Sequence, residues 1–202
     1  LIVVDVQNDF LPGGSLAVPE GDEIIPTVNR LIANFETVVL TADWHPATHA
    51  SFAVNHPGRS VFETIEMPYG EQVLWPAHCV AGTAGAAFAP TLATDAASLI
   101  VRKGCRVDCD SYSGFLEADR VSRTGLAGWL KDRSVTEVFV CGLALDFCVS
   151  ATAVDAAREG FATTIVVDAC RAINTAPEAI EKLEQHWAGE GVAQALASEL
   201  VH

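Results

Sequence analysis

The chain has 202 residues and is 50% hydrophobic, so it is long enough to close one sizeable core, and we expect a single domain over residues 1–202. Its formal net charge of −14 argues against nucleic acid or an anionic membrane surface as a partner, because either polyanion would repel it. A small neutral or cationic ligand and a homo-oligomer remain open.

Short apolar runs rich in Val, Ile and Leu alternate with longer helix-like segments, which is typical of a parallel α/β sheet. Strands are predicted at 1–6, 37–42, 97–102, 136–141 and 163–168, with a weaker sixth at 191–196. Helices are predicted at 20–35, 124–132, 146–159 and 177–188. The expected fold is a three-layer, Rossmann-like α/β/α arrangement with a mainly parallel sheet of roughly six strands.

Nothing in the sequence predicts export or membrane insertion. Asp, Gly or Pro interrupts every apolar run long before the roughly 18 residues that a membrane-spanning helix requires. The chain begins inside an apolar strand pattern, and no secretory leader is visible. The 6 cysteines lack both zinc-site spacing and the density of a disulfide scaffold, which favours a reducing cytoplasm.

The segment 43–90 contains His, Pro, Gly and Trp with little periodicity, and loops of that length in compact domains are more often functional than idle. Ligands of parallel α/β sheets bind beyond the carboxyl ends of the strands. Reactive side chains follow several predicted strands at that edge: Asp5, Asp43, His45, Lys103 and Cys148. The chemistry is therefore expected there.

Cys148 lies where a predicted strand passes through a small-residue turn into a helix. The free amides and dipole of a helix N-terminus favour the nucleophilic thiolate, and the same amides suit the oxyanion of an attacked carbonyl. A lone cysteine is more often a small buried hydrophobe. That role is assigned to the remaining cysteines, Cys79, Cys105, Cys109, Cys141 and Cys170.

Asp5 interrupts an otherwise apolar strand, and a buried carboxylate needs a partner or a function. Lys103, at another strand end, is the predicted partner. The simplest alternative is a structural ion pair. With a nucleophile expected at the same edge, we predict instead that Asp5 takes the thiol proton of Cys148 and later protonates the leaving amine, while Lys103 holds Asp5.

Asp43 and His45 lie two residues apart, so in an extended chain they project to one side. With His78 they make a predicted set of ligands for one divalent metal ion, which leaves positions open for water and substrate. His49 is a possible fourth ligand or a neighbour of the ligands. Scattered histidines are usually solvated or satisfied in loops, and that is expected of His56, His186 and His202.

Seven segments together resemble the nicotinamidase/pyrazinamidase branch of the isochorismatase-like hydrolases. The similarity runs from residue 1 to about residue 175, and no one motif decides it. The segments are Ile2 to Phe10, Gly13 to Val18, Asp43 to Pro46, Trp75 to Val80, Lys103 with Gly104, Asp110 to Phe115, and Gly142 to Val149.

This resemblance implies an enzyme of NAD salvage that hydrolyses nicotinamide, and also pyrazinamide, through a cysteine thioester. It implies Asp5, Lys103 and Cys148 as the catalytic triad and Asp43, His45 and His78 as ligands of zinc, iron or sometimes manganese. The ring-binding residues would be Phe10, Trp75 and Tyr112, with Leu143 also at the substrate. The oxyanion hole would be the amides of Ala144 and Cys148, with a cis peptide between Leu143 and Ala144.

Leu145 departs from the family pattern, which usually has Thr there, so a hydroxyl contact near the nucleophile is expected to be missing. The nearest alternative function is that of a metal-free N-carbamoyl amine amidohydrolase of the same fold, which should lack Asp43, His45 and His78. Isochorismatase fits less well, since vinyl-ether hydrolysis has no evident use for Cys148 with three metal ligands. A non-catalytic binding protein is the alternative from another class.

Overall fold

The computed structural model describes residues 1–201, so His202 and its predicted solvation lie outside the described chain. The strands are β1 (Ile2–Val4), β2 (Val39–Asp43), β3 (Thr64–Met67), β4 (Gly70–Val73), β5 (Leu99–Lys103), β6 (Glu137–Leu143), β7 (Ala162–Arg171) and β8 (Val192–Ala195). The α-helices are α1 (Ile25–Asn34), α2 (Leu126–Lys131), α3 (Ser150–Arg158) and α4 (Pro177–Gly189).

Six of the strands form one sheet in the order β5-β2-β1-β6-β7-β8, and every neighbouring pair is parallel. Each strand predicted from the sequence is present in it, so the predicted fold class is confirmed. The apolar runs predict these strands correctly because strands such as β1 and β2 are buried along their whole length. No helix within residues 1–201 has the length and apolar content that crossing a bilayer requires.

Two predicted helices begin differently from a regular α-helix. The segment predicted at 20–35 starts as a 3-10 turn, Gly21–Ile24, before α1. The segment predicted at 146–159 starts as a π-helical turn, Leu145–Val149, before α3. Cys148 therefore lies in the π-helical turn that precedes α3.

The segment 43–90 contains an element that the sequence did not predict. β3 and β4 pair as an antiparallel hairpin outside the main sheet. Its strands are short and mostly exposed or half-buried, so they lack the apolar runs that reveal the other strands. The hairpin leads directly into Trp75.

The strand order reverses direction between β1 and β6. From β1 the chain adds β2 and then β5 on one side of the sheet, and β6, β7 and β8 follow on the other. Such a switch point leaves a crevice beyond the carboxyl ends of the two strands that flank it. Asp5 follows β1 and the Cys148 turn follows β6, so both residues lie at this crevice.

Close packing of these two central strands depends on Gly142. A Cβ on Gly142 would lie 2.1 Å from the carbonyl oxygen of Val4, and its φ of +117° lies where side chains are rarely found. Only glycine allows β6 to approach β1 this closely just before the Cys148 turn.

Replacement of Gly142 with Ala is therefore expected to lower the free energy of unfolding by about 2–4 kcal/mol, through overpacking and backbone strain. Urea unfolding followed by circular dichroism measures this. Gly128→Ala is the matched control, because that exposed helical glycine has open space around it and should gain about 0.5–1 kcal/mol. Equal stability of the two variants would contradict the packing argument.

Candidate active site

The side chain of Lys103 is fully buried and joins residues from several strand ends. Its Nζ lies 2.9 Å from Asp5 Oδ2 and 3.3 Å from Cys148 Sγ, and it also contacts the carboxylate of Asp43. It donates a further hydrogen bond of 2.9 Å to the carbonyl oxygen of Ser111. The residues predicted as a triad are thus brought together, and the predicted metal ligand Asp43 shares the same amine.

The charges in this cluster depend on one another. Burial alone would lower the pKa of Lys103, but the carboxylates of Asp43 and Asp5 raise it well above its usual range. Although burial raises the pKa of Asp43, the charges of Lys103 and His45 hold it well below its usual range. Burial raises the pKa of Asp5 despite the opposing effect of Lys103. Lys103 is therefore a permanent cation, and Asp5 is the more basic of its two carboxylate partners.

Asp5 itself has an unusual backbone conformation. Its φ of 50° lies in the left-handed region, which a residue other than glycine seldom adopts. Its Oδ1 accepts a hydrogen bond of 2.6 Å from the Thr41 hydroxyl, so one oxygen is held while the other faces Lys103. Such strained residues concentrate at functional sites.

The state of the Cys148 thiol differs from the sequence-based expectation of a thiolate. Burial raises the pKa of the Cys148 thiol well above its usual range, and the nearby charge of Lys103 only partly opposes this effect. The helix-terminus argument fails because the sulfur is buried beside carboxylates and lies in the π-helical turn. Burial therefore favours the protonated thiol over the thiolate, so the mechanism requires a base near Cys148.

A base is within reach of that thiol. Carboxylate oxygens of Asp5 and Asp43 and the sulfur of Cys148 all lie within 4.8 Å of one another. Of the two carboxylates, Asp5 has the raised pKa and so is the better proton acceptor.

Asp43, His45 and His78 converge as the sequence predicted, and all three are buried. The Nε2 atoms of His45 and His78 lie 3.5 and 3.8 Å from Asp43 Oδ2. Ligands about 2.1 Å from one ion at tetrahedral angles would lie about 3.4 Å apart, so this spacing fits a single metal ion.

Both imidazoles are held by their other nitrogen. His45 Nδ1 is 2.9 Å from the carbonyl oxygen of Gly104, and His78 Nδ1 is 2.8 Å from that of Pro76. When the imidazoles are neutral, as metal binding requires, each Nδ1 carries the proton and each Nε2 presents a lone pair on the side of Asp43. A Cβ on Gly104 would lie 2.3 Å from the His45 ring, so glycine is required beside it.

His49 is close to these ligands but engaged elsewhere. Its Nδ1 accepts from the backbone amide of Ser51 at 3.2 Å, and its Nε2 lies 3.2 Å from the carbonyl oxygen of Cys109. Both ring nitrogens are therefore used within the protein. In this structure His49 packs against His45, with ring centroids 4.4 Å apart, and offers no free lone pair to a metal.

The other two described histidines behave as expected of loop and surface residues. His56 Nε2 lies 2.7 Å from the carbonyl oxygen of Ala50, and His186 is exposed on α4.

A small cavity connects the Lys103 cluster with the metal-ligand set. Predicted residues on its wall are Phe10, Asp43, Trp75, His78, Tyr112, Ala144 and Cys148. The Trp75 indole is fixed by a 3.0 Å hydrogen bond from Nε1 to the Tyr112 hydroxyl. Flat aromatic walls with few polar groups suit an aromatic ring that carries one polar substituent.

One of two residues near the turn differs from expectation. Leu143 was predicted at the substrate, but its side chain is fully buried in the core beside Gly21 and does not line the cavity. Its peptide bond to Ala144 is cis, as the resemblance implied. Leu145, which replaces the usual Thr, is also buried in the core and is absent from the cavity wall.

Sequence reasoning missed residues that complete the wall or hold it in place. Phe147 lines the cavity and meets Trp75 edge-on, with centroids 5.0 Å apart. Its position next to Cys148 was the available signal. Gln7 binds the backbone of Asp43 through both its amide atoms, each at 2.8 Å. Asp9 Oδ2 accepts from the backbone amide of Cys79 at 2.7 Å, and so holds the loop that carries His78.

A buried cysteine at a strand-to-helix turn, next to an aspartate and a lysine at the switch point of a parallel sheet, is typical of a hydrolase that uses a cysteine nucleophile. Residues 1–190 match the family model of the isochorismatase domain. The chain therefore belongs to the isochorismatase family.

Relatives within that family are close. A nicotinamidase of Acinetobacter baylyi is 55% identical over 174 residues, which cover 86% of this chain and 81% of the relative. A solved nicotinamidase/pyrazinamidase structure from Acinetobacter baumanii has a TM-score of 0.96 and 52% identity over 99% of this chain and 96% of its own. The pyrazinamidase of Pyrococcus horikoshii, solved in complex with zinc, has a TM-score of 0.78 and 38% identity, over 96% of this chain and 97% of its own.

The central place of Lys103 leads to a stability prediction. Lys103→Met should lower the free energy of unfolding of chelator-treated protein by about 3–5 kcal/mol, because Asp5 and Asp43 would stay buried without their cation. Urea unfolding at neutral pH measures the change. Lys131→Met removes an exposed ion pair with Glu159 and should cost less than about 1 kcal/mol. A similar small loss for Lys103→Met would refute the role assigned to its charge.

Proposed function

We propose that this chain is a nicotinamide amidohydrolase, which converts nicotinamide and water to nicotinate and ammonia as a step of NAD salvage. The observation that carries the proposal is the joint placement of two groups on one aromatic cavity: Cys148 with Asp5 and Lys103, and Asp43 with His45 and His78. Pyrazinamide has the same carboxamide and a nitrogen at the same ring position, so it is a second substrate.

Asp5 is the proposed base for the first step. It takes the thiol proton of Cys148, and the thiolate adds to the carboxamide carbon. Since Lys103 Nζ is 3.3 Å from the sulfur, its charge stabilises the thiolate as it forms. The backbone amides of Ala144 and Cys148 are assigned to the developing oxyanion.

The same aspartate completes the cycle. Protonated Asp5 returns its proton to the amide nitrogen, the C–N bond breaks, and ammonia leaves with a thioester on Cys148. Asp5 then takes a proton from water, whose oxygen adds to the thioester carbon. The C–S bond breaks, Asp5 returns the proton to the Cys148 sulfur, and the acid leaves as nicotinate after its remaining proton passes to solvent. Lys103 holds Asp5 in place at 2.9 Å throughout.

Phe10, Trp75 and Tyr112 are the proposed contacts for the substrate ring. Because Trp75 is fixed by the hydroxyl of Tyr112 and by the edge of Phe147, the ring enters a preformed slot. Little ordering of side chains then remains to be done on binding.

Asp43, His45 and His78 are the proposed ligands of one divalent ion. Zinc and iron are the preferred candidates for this ion, and manganese is the alternative. The zinc-bound pyrazinamidase relative supports a metal in this family. When bound, the ion supplies a Lewis acid for the ring nitrogen, which orients the carboxamide towards Cys148. The two oriented imidazoles and the carboxylate make the donor set suitable for any of these ions.

A cytoplasmic location is proposed because the cysteines are free thiols, which a reducing compartment preserves. All 6 cysteines are free, including Cys105 on the surface and the catalytic candidate Cys148. An oxidising compartment would threaten both.

The nucleophile is tested by Cys148→Ala. Ammonia release from nicotinamide should fall by roughly 10⁴-fold or more, since no other thiol lines the cavity within the described chain. Cys105→Ala removes an exposed thiol and should leave the rate unchanged. Circular dichroism establishes that both variants are folded. Retained activity in folded Cys148→Ala would remove this residue from the mechanism.

The metal is tested by His78→Ala and by chelation. The purified variant should contain less than stoichiometric metal by elemental analysis, and its ammonia release should fall by at least about 100-fold. Wild-type protein should lose activity with chelator and regain it with zinc, iron or manganese. His186→Ala, on an exposed face of α4, should change neither quantity. Full activity in metal-free wild-type protein would remove the ion from the mechanism, and no ammonia release from folded, metal-loaded protein would favour the carbamoyl-amidase or the non-catalytic alternative.

A further inference from the structure

A second carboxylate besides that of Asp43 lies on the cavity wall and has no role in the reaction described above. Asp110 is 3% exposed and lines the cavity together with Asp43 and Cys148. One of its oxygens and one nitrogen each of His45 and His49 lie within 4.8 Å of one another. Its carboxylate therefore lies beside the imidazole of the proposed metal ligand His45.

The hydrogen bonds of Asp110 come only from neutral groups. Its Oδ2 accepts from Gln72 Nε2 at 2.8 Å, and its Oδ1 accepts from the backbone amide of Ser111 at 2.9 Å. None of the ion pairs formed by residues 1–201 involves it. A buried carboxylate without a cation is costly, so a counter-charge is missing from the protein itself.

The balance of charge around the cavity identifies what is missing. Asp5, Asp43 and Asp110 are buried carboxylates, and Lys103 is the one lysine or arginine buried with them in the described chain. Metal binding requires neutral imidazoles. His49 is also neutral, because its Nδ1 accepts from the Ser51 amide. The buried groups thus carry an excess of two negative charges, which matches one divalent cation.

We infer that Asp110 supplies part of the negative charge that binds the divalent ion, so that affinity for the ion depends on a carboxylate beyond the Asp43, His45 and His78 set. In this role Asp110 is a positioning residue, since it holds the ion electrostatically and takes no part in bond making. The inference rests on the metal site of the proposed function. It assigns a role to a residue that the catalytic steps leave unused.

A purely structural role makes a different prediction. Gln72 belongs to β4 and also donates to the Tyr112 hydroxyl at 3.2 Å, so the Asp110–Gln72 hydrogen bond ties the hairpin to the cavity wall. If that tie were the function of Asp110, loss of Gln72 would have the same effect as loss of the carboxylate. The charge and the hydrogen bond can therefore be separated by substitution.

The test measures dissociation constants of zinc and manganese by competition with a chromophoric chelator, on apoprotein of each variant. Asp110→Asn removes the charge and keeps the shape, and Asp110→Ser removes it without an added amide donor. Gln72→Met removes the hydrogen bond and keeps the charge. Asp108→Asn is the control: it removes a carboxylate two residues from Asp110 whose side chain is 74% exposed and paired with Arg106.

Both Asp110 variants should bind each ion about 10–100-fold more weakly than wild type. Gln72→Met and Asp108→Asn should stay within about 3-fold of wild type. Unfolding of each apoprotein, followed by circular dichroism, should show that Asp110→Ser remains folded. These results together would support the inference.

Equal affinity in the Asp110 variants and wild type would overturn the inference and leave the proposed function intact. An equal loss in Gln72→Met and the Asp110 variants would also overturn it, in favour of the structural role. Failure of wild-type protein to bind either ion would instead refute the metal site of the proposed function. The two failures are therefore distinguishable from the same set of measurements.

Discussion

The buried amine of Lys103 is the interaction on which the rest of the site depends. It stands at the end of β5 and reaches a carboxylate after β1, a carboxylate at the end of β2, and the sulfur in the turn after β6. These four strands are consecutive neighbours in the sheet, and the residues lie at or just beyond their carboxyl ends. An uncompensated cation in that position would be prohibitively costly, so the carboxylates stabilise the lysine and the lysine in turn keeps them ionised. The nucleophile and the metal ligands consequently share one electrostatic unit.

Geometry around that unit is maintained by contacts that take no part in the chemistry. Gln7 holds the backbone of Asp43, Asp9 holds the loop after His78, and Gly104 leaves space for the His45 ring. Gln7 and Asp9 act on backbone groups, which fixes where the functional side chains begin, and Gly104 acts on the imidazole ring itself. Such second contacts are as specific as the ligands themselves, since a shift of the backbone moves the donor atoms.

Much of the fold could be predicted from the sequence because buried parallel strands have uninterrupted apolar sequences. The same logic placed Asp5, Asp43, Lys103 and Cys148 at one edge. The hairpin β3–β4 was missed because its exposed strands carry no such run. The ionisation of Cys148 was also mispredicted, since helix position is a local property and burial beside two carboxylates is a tertiary one. Which wall residues face the cavity, as Phe147 does and Leu143 does not, depends equally on packing.

The hairpin adjoins the ring slot but does not by itself hold the wall of that slot in place. It is a separate two-stranded unit with four residues in each strand, and Trp75, which follows it, forms one wall of the ring slot. Isolated hairpins of this size are marginally stable, so its local opening requires much less free energy than global unfolding of the sheet. Trp75, however, is also paired with a segment outside the hairpin: its amide donates to the carbonyl oxygen of Ser51 at 2.7 Å, and its carbonyl oxygen accepts from the amide of Ala53 at 2.9 Å. Local opening of the hairpin therefore leaves this wall of the ring slot anchored, so that unfolding at the periphery is uncoupled from the shape of the site.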